Sequence, residues 1–245
     1  DIQFTSDPNG NSNYVSQQII TGGIVTAVRS DSTFFISSGS GAWSGVYVYT
    51  KNHVVNIGDS VIIDGEVDEY FDLTELVNVT NVQVVSTGNN YNINNCTTAA
   101  ANSEDFEGCM VQVINATCVN DTAGFGEWII NDGTGDLTVD DLLFSFTPII
   151  NYYYDVIGPM TYNYGAYKLL PRDAADINQF VGVIENKNAV LDIYPNPTSD
   201  YIQIISPENT NASIFNIKGS LVKKISLNSG VNTIYLGQLC SGNYV

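Results

Sequence analysis

Two series of short β-branched and aromatic runs, each broken by glycine and each in the same order, occupy most of this chain. The first comprises residues 23–28, 34–41, 45–49, 58–67 and 74–76; the second answers with 110–113, 128–135, 141–144, 154–158 and 167–170. Runs of about four to eight such residues between turn formers read as strands. Their recurrence in order marks an internal duplication. The spacing therefore predicts an all-β body of two five-stranded units, residues 1–88 and 89–180. Gly65 and Gly158 are the expected sharp bends, because a small closed barrel must turn its strands at corners where a side chain would crowd the backbone. The polar residues 86–102 read as the linker, 103–107 as one capped turn of helix, 173–180 as a second short helix, and 182–188 as a polar joint.

Particular residues sharpen this. Phe34-Phe35-Ile36 leads into Gly39-Ser40-Gly41, Gly58-Asp59-Ser60-Val61 opens the fourth run, and the pair is framed by Ile2-Gln3-Phe4 and Pro171-Arg172-Asp173. This pattern resembles the tandem OB-like domains of secreted bacterial proteins, in which Phe-x-Ile-x-x-Gly-x-Gly makes a hairpin and Gly-Asp-x-Val starts the fourth strand. The second copy departs from it, carrying Asn151-Tyr152-Tyr153 where Gly-Asp is expected.

The last residues read differently. Tyr201-Ile202-Gln203-Ile204, Ser213-Ile214-Phe215-Asn216-Ile217 and Thr233-Ile234-Tyr235-Leu236 are strand-like, and Asn216-Ile217-Lys218-Gly219 is a hairpin turn, so residues 181–245 predict a small β-sandwich. Pro195 and Pro197 flank Asn196 and withhold ladder donors, which puts their segment at a sheet edge. The series Tyr194-Pro195-Asn196-Pro197, Gly219, Gly242 and Tyr244 resembles the C-terminal sorting domain of type IX secretion cargo. The resemblance implies a signal read by the outer-membrane translocon with its shuttle and sortase components, and a body that is released or held at the cell surface. It also implies a final strand beyond Val245 and a signal peptide already removed before Asp1.

Charge restricts what the body can bind. The chain has 26 acidic against 8 basic residues, and residues 181–245 hold four of each, so the whole excess lies in residues 1–180. The bases there are Arg29, Lys51, Lys168 and Arg172, well separated, whereas a nucleic-acid groove needs clustered cations interleaved with aromatics. Nucleic acid is not an expected partner. No run approaches the roughly 18 apolar residues that span a bilayer.

Chemistry-bearing motifs are sparse. His53 is the single histidine, in a polar stretch without a nucleophile motif, so no catalytic residue is assigned and the body is expected not to be an enzyme. No cofactor is expected. The segment Asn131-Asp132-Gly133-Thr134-Gly135-Asp136 alternates carboxylates and glycines but lacks the bidentate Glu and spacing of an EF-hand, so it reads as a hairpin turn and no metal is assigned. Trp43, Tyr47, Tyr49 and Tyr70 are the candidate ligand-binding residues, with Tyr47 and Tyr49 on one strand face. Rings beside carboxylates suit neutral sugars, which makes surface polysaccharide the candidate partner and a carbohydrate-binding or accessory module of a secreted hydrolase or nuclease the competing reading. Self-assembly through exposed strand edges is a further route to a partner. Thr122, in Asp121-Thr122-Ala123, resembles the O-glycosylation site of such bacteria. In an exported chain one disulfide is expected, joining Cys96 to either Cys109 or Cys118, since the odd spacing of the latter two puts them on opposite faces of an unbroken strand.

Overall fold

A computed structural model describes residues 2–29, 33–51, 53–180, 192–206 and 209–245. The architecture is all-β, in two compact units, residues 1–182 and 183–245. In the first half of the larger unit, β1 (Gln18–Val28), β2 (Phe34–Ser37), β3 (Gly45–Val48), β4 (Ser60–Tyr70) and β5 (Leu73–Ser86) close a barrel in the order β1-β2-β3-β5-β4. The β3–β5 pairing is parallel and the others are antiparallel. Gly65 falls where the β4–β5 register slips, so the expected bend is a bulge.

The second half repeats the ring. After β6 (Asn94–Asn95) come β7 (Met110–Gly124), β8 (Glu127–Asn131), β9 (Asp136–Val139), β10 (Tyr153–Asn163) and β11 (Ala166–Leu169), and pairing runs β7-β8-β9-β11-β10 and back to β7. Again only the third and fifth strands of the copy, β9 and β11, are parallel within the ring. β6 and β12 (Ile177–Phe180) flank it on β7 and β10. Each ring has its own apolar interior. Phe34, Val48, Ile63 and Leu76 fill the first; Trp128, Ile130, Tyr154 and Met160 fill the second.

The duplication extends to individual hydrogen bonds. In the first copy Gly58 N donates to Val25 O at 2.9 Å and Val25 N to Asp59 O at 2.8 Å. In the second, Asn151 N donates to Cys118 O and Cys118 N to Tyr152 O, both at 2.9 Å. Asn151 therefore stands in for Gly58, with φ of 66° against 88°, and asparagine is among the few side chains that tolerate this region. The motif lost from the sequence is kept by the backbone.

Four sequence expectations are corrected. The third strand of the second copy is Asp136–Val139, not residues 141–144, because Leu137 and Val139 carry the inward alternation and Asp140 caps the next turn by accepting from Leu142 N at 2.9 Å. Residues 173–180 form a single 3-10 turn, Ala174–Asp176, that hands over to β12 instead of a helix. The linker contains a short helix, Thr98–Ala101, capped by Thr97. The cysteines are free thiols, and Cys109 and Cys118 are both buried in the same core. The ladder skips Ile114 and Asn115, and Asn115 has φ of 55°; this bulge reverses the inside-outside parity on which the opposite-face argument relied.

The two rings meet backbone to backbone. A methyl group at Gly45 would lie 2.1 Å from the Gly108 carbonyl oxygen, and one at Gly108 would lie 2.7 Å from the Gly45 carbonyl carbon. Beside this contact Trp43 N donates to Asp105 O at 2.7 Å, and Gly41 N to Asn94 Oδ1 at 2.7 Å. Farther along, Ala27, Phe35 and Leu170 form a small shared apolar cluster. Arg172, held by two bonds of its guanidinium to Asp176, reaches back to Thr26 O at 2.8 Å and to the Tyr91 hydroxyl.

The smaller unit is the expected sandwich. β13 (Asp192–Tyr194), β14 (Tyr201–Ser206) and β17 (Gly230–Tyr235) make one sheet with β13 at its edge; β15 (Thr210–Phe215) and β16 (Leu221–Leu227) make the other. Ile204, Leu227 and Ile234 are buried between them. Gly219, at φ of 76°, closes the β15–β16 turn, where Asn216 Oδ1 accepts from Lys218 N and Ser220 N. The 182–188 joint lies outside the described residues.

Because a Cβ at Gly45 collides with backbone that has nowhere to go, Gly45→Ala is expected to lower the unfolding free energy by at least ~2 kcal/mol. Gly39→Ala, where no atom lies within 4 Å, should change it by under ~0.5 kcal/mol. Urea unfolding of the two variants checks the contrast.

Candidate functional site

At the ring-to-ring seam lies an open cleft of about 560 Å³, walled by residues 5–10, Trp43, Asp72, Glu104, Asp105, Tyr162 and Tyr167. Each wall is set by local backbone chemistry. Asp7 organises the N-terminal loop by accepting from Asn9 N at 2.9 Å and from the Asn9 and Asn11 amides. Gly10, at φ of 82°, lets that loop lie against the Glu104 carboxylate, which a Cβ would meet at 2.6 Å. Trp43 turns into the seam at φ of 65° and meets Phe4 edge to face at 5.7 Å. Asp72 occupies the β4–β5 turn, and Tyr162 and Tyr167 come from the equivalent hairpin of the second ring, their centroids 4.8 Å apart.

The cleft is acidic, and among the described residues its lining includes no basic side chain. The Tyr167 hydroxyl donates to Glu104 Oε2 at 2.7 Å. Burial pushes the Glu104 carboxyl up; Tyr167 opposes this, and Glu69, Asp105 and Asp72 add to it. Burial and the same glutamate raise the Tyr167 phenol in turn. Behind the cleft, burial raises Glu69 against bonds from Ser12 and Thr74, and burial with Asp68 and Glu69 brings Glu75 to about 7. Asp7 moves the other way, held low by the Asn9 backbone bond and then by Asn11. Such a surface can accept hydrogen bonds from hydroxyls and offer rings to C–H faces.

Of the candidate ligand-binding residues Trp43, Tyr47, Tyr49 and Tyr70, Trp43 alone lines this cleft. Tyr47 packs on Phe35 at 4.9 Å beside the shared apolar cluster, and Tyr49 is no longer on its strand face because β3 ends at Val48. Tyr49 instead carries Lys51 over its ring at 5.6 Å. Tyr70 sits exposed on the β4–β5 hairpin against Phe71 at 4.8 Å. Thr122 is exposed on the far end of β7, not in a loop, and bonds Asp121. His53 pairs with Thr50, its Nδ1 2.8 Å from Oγ1. The aspartate-rich turn joins β8 to β9, and its Asp132 accepts from Thr98 and Thr134. In the tail, Tyr194 ends β13, Pro195-Asn196-Pro197 follow it, and Tyr244 pairs with Asn216 across an isolated bridge. Cys240 O accepts from the Tyr244 hydroxyl at 2.8 Å, with Gly242 in the turn between them.

Glu104 and Glu107 escaped the sequence reading, though a signal was there. Residues 103–107 were expected to form one turn, which keeps the two close: Glu104 opens the observed 3-10 turn, Glu107 caps its end, and Glu107 N donates to Glu104 O at 3.0 Å.

Comparison with known families matches residues 192–245 to the secretion system C-terminal sorting domain. The tail is thus a type IX sorting domain, which carries its cargo across the outer membrane to the surface or the medium. A comparison with curated proteins returned no match.

Glu75 fixes a sign for the pH dependence of the body. Its folded value of about 7 lies above the ordinary 4.5, so the stability tied to its proton is complete below 4.5 and is lost as pH rises through about 7. The melting temperature should fall across that window, and Glu75→Gln should fall less steeply. Equal slopes in scanning calorimetry would contradict the assignment.

Proposed function

We propose that this chain is a type IX cargo whose body, residues 1–182, is a non-catalytic binding module, with the inter-ring cleft as the seat of a neutral, hydroxyl-rich glycan. The sorting-domain match carries the export half of the reading. The translocon and its shuttle and sortase components are the partners of the tail.

Support for the binding half comes from what the cleft combines. Trp43, Tyr162 and Tyr167 supply rings; Asp7, Asp72, Glu104 and Asp105 supply acceptors. Polyanions are disfavoured there, because the charge excess of residues 1–180 repels phosphate and sulfate before any contact forms. Two of the four cations of the body are already engaged. Lys168 is engaged by Glu127 and Asp140, and Arg172 by Asp176.

Expressed behind a cleavable export leader in a bacterium with an active type IX system, the full chain should reach the surface or medium, while the chain ending at Asn188 should accumulate in the periplasm. Export of both forms would defeat the address. For the body, retardation of the full chain in gels containing neutral polysaccharides should weaken by about tenfold or more for Trp43→Ala, the loss of one stacking ring. Identical mobility of both proteins across the panel would defeat the glycan reading while leaving the address untouched.

A further inference from the structure

Glu107 is fully buried. Its Oε1 accepts from Thr74 N at 2.8 Å and from Gln3 Nε2 at 3.4 Å. Its Oε2 and the Gln3 Oε1 are both buried with no hydrogen-bond partner. Two orphaned acceptors thus belong to two groups that already share a bond. An ionised carboxylate has only acceptors, so it can never satisfy the amide oxygen; a protonated carboxyl has one donor, and with it both orphans are paired at once.

Among the described residues, those that act on the carboxyl are acidic or neutral. Glu104 acts on it from its own turn, Glu69 from β4 and Tyr167 from β11, while Thr74 on β5 and Gln3 on the N-terminal segment are neutral. Burial and then Glu104 push its titration well above the ordinary range, against the bonds from Thr74 and Gln3. Among the described residues, the charged neighbours that bear on it, Glu104 and Glu69, are acidic.

We propose that Glu107 stands as a neutral carboxylic acid at neutral pH, its Oε2–H donating to Gln3 Oε1, and that this acid–amide pair is a latch, released by alkali, that fastens the N-terminal strap across the seam. The strap is held beside it by Ser12 N on Glu69 Oε1 at 2.7 Å, by Ser12 Oγ on Ile2 O, and by Phe4 on Trp43. Residues 5–10 of the same strap form one wall of the cleft. Removal of the Glu107 proton sets two acceptors against each other and adds a charge beside Glu104 and Glu69. The strap then lifts and the wall goes with it. The latch stands whatever ligand the cleft takes.

Glu107→Gln tests this directly, since its amide supplies the missing donor at every pH. The protection factor of residues 2–16 in the wild-type chain, taken against the intrinsic exchange rate at each pH, should fall about tenfold or more on passing from neutral to alkaline pH, while that of the variant stays constant. Gln3→Met, which removes the amide, should expose the strap already at neutral pH. An equal alkaline loss of protection in wild type and Glu107→Gln would overturn the latch. The wild-type chain labelled with ¹³C at its glutamate carboxyls decides the protonation state however the variants fold: the assigned Glu107 resonance must remain that of the acid at neutral pH, and a carboxylate shift there would sink the proposal.

Discussion

The close approach of Gly45 to Gly108 is the constraint on which the larger unit is built. Two backbones that near each other exclude any side chain, so only glycine at both places lets the rings meet there. Once they meet, Trp43 N finds Asp105 O, Cys109 Sγ lies 3.7 Å from Gly41 O and 3.6 Å from Ser44 Oγ, and Glu107, just after the turn at residues 104–106, accepts from Thr74 N on the first ring's β5 at 2.8 Å. The cleft is what remains beside that contact. Its walls come from both copies because the contact joins both.

Bringing the rings together concentrates carboxyl groups that the open chain would keep apart. Glu69 and Glu75 arrive from the first ring, Glu104 and Glu107 from the turn before the second. Four like charges in a half-buried space would oppose the contact strongly. The structure answers with hydrogen bonds and protons: Ser12, Thr74 and Tyr167 donate to Glu69 and Glu104, and burial favours the neutral forms. The buried cations serve different places. Lys168 neutralises Glu127 and Asp140 in the second ring, and Arg172 with Asp176 ties the chain leaving that ring to Thr26 and Tyr91.

Much of the fold could be read directly. The runs at 23–28, 34–36, 45–49 and 58–67 became β1 to β4, and Gly65 became a bulge, because alternation and glycine placement are local properties. The errors arose where a local rule met a non-local one. Parity along residues 109–118 was misjudged because a two-residue bulge at Ile114 and Asn115, imposed by pairing with β10, cannot be seen in a strand considered alone. Tyr47, a candidate ligand-binding residue by type and strand position, lies opposite Phe35 in the β2–β3 pair, and only docking of the second ring brings Leu170 into the apolar cluster beside them.

The sequence by itself determined the repeated strand order, the sandwich and sorting signal of the tail, and the acidity of the body. Each depends on residue type and spacing within a short span. Only the tertiary structure decided which aromatics share a cleft, that Asn151 would replace Gly58, and that Glu107 would lie beside Gln3. The Gln3–Glu107 pairing joins residues 104 positions apart, and its energy depends on burial and on the charges around it, quantities that exist only once the chain has closed on itself.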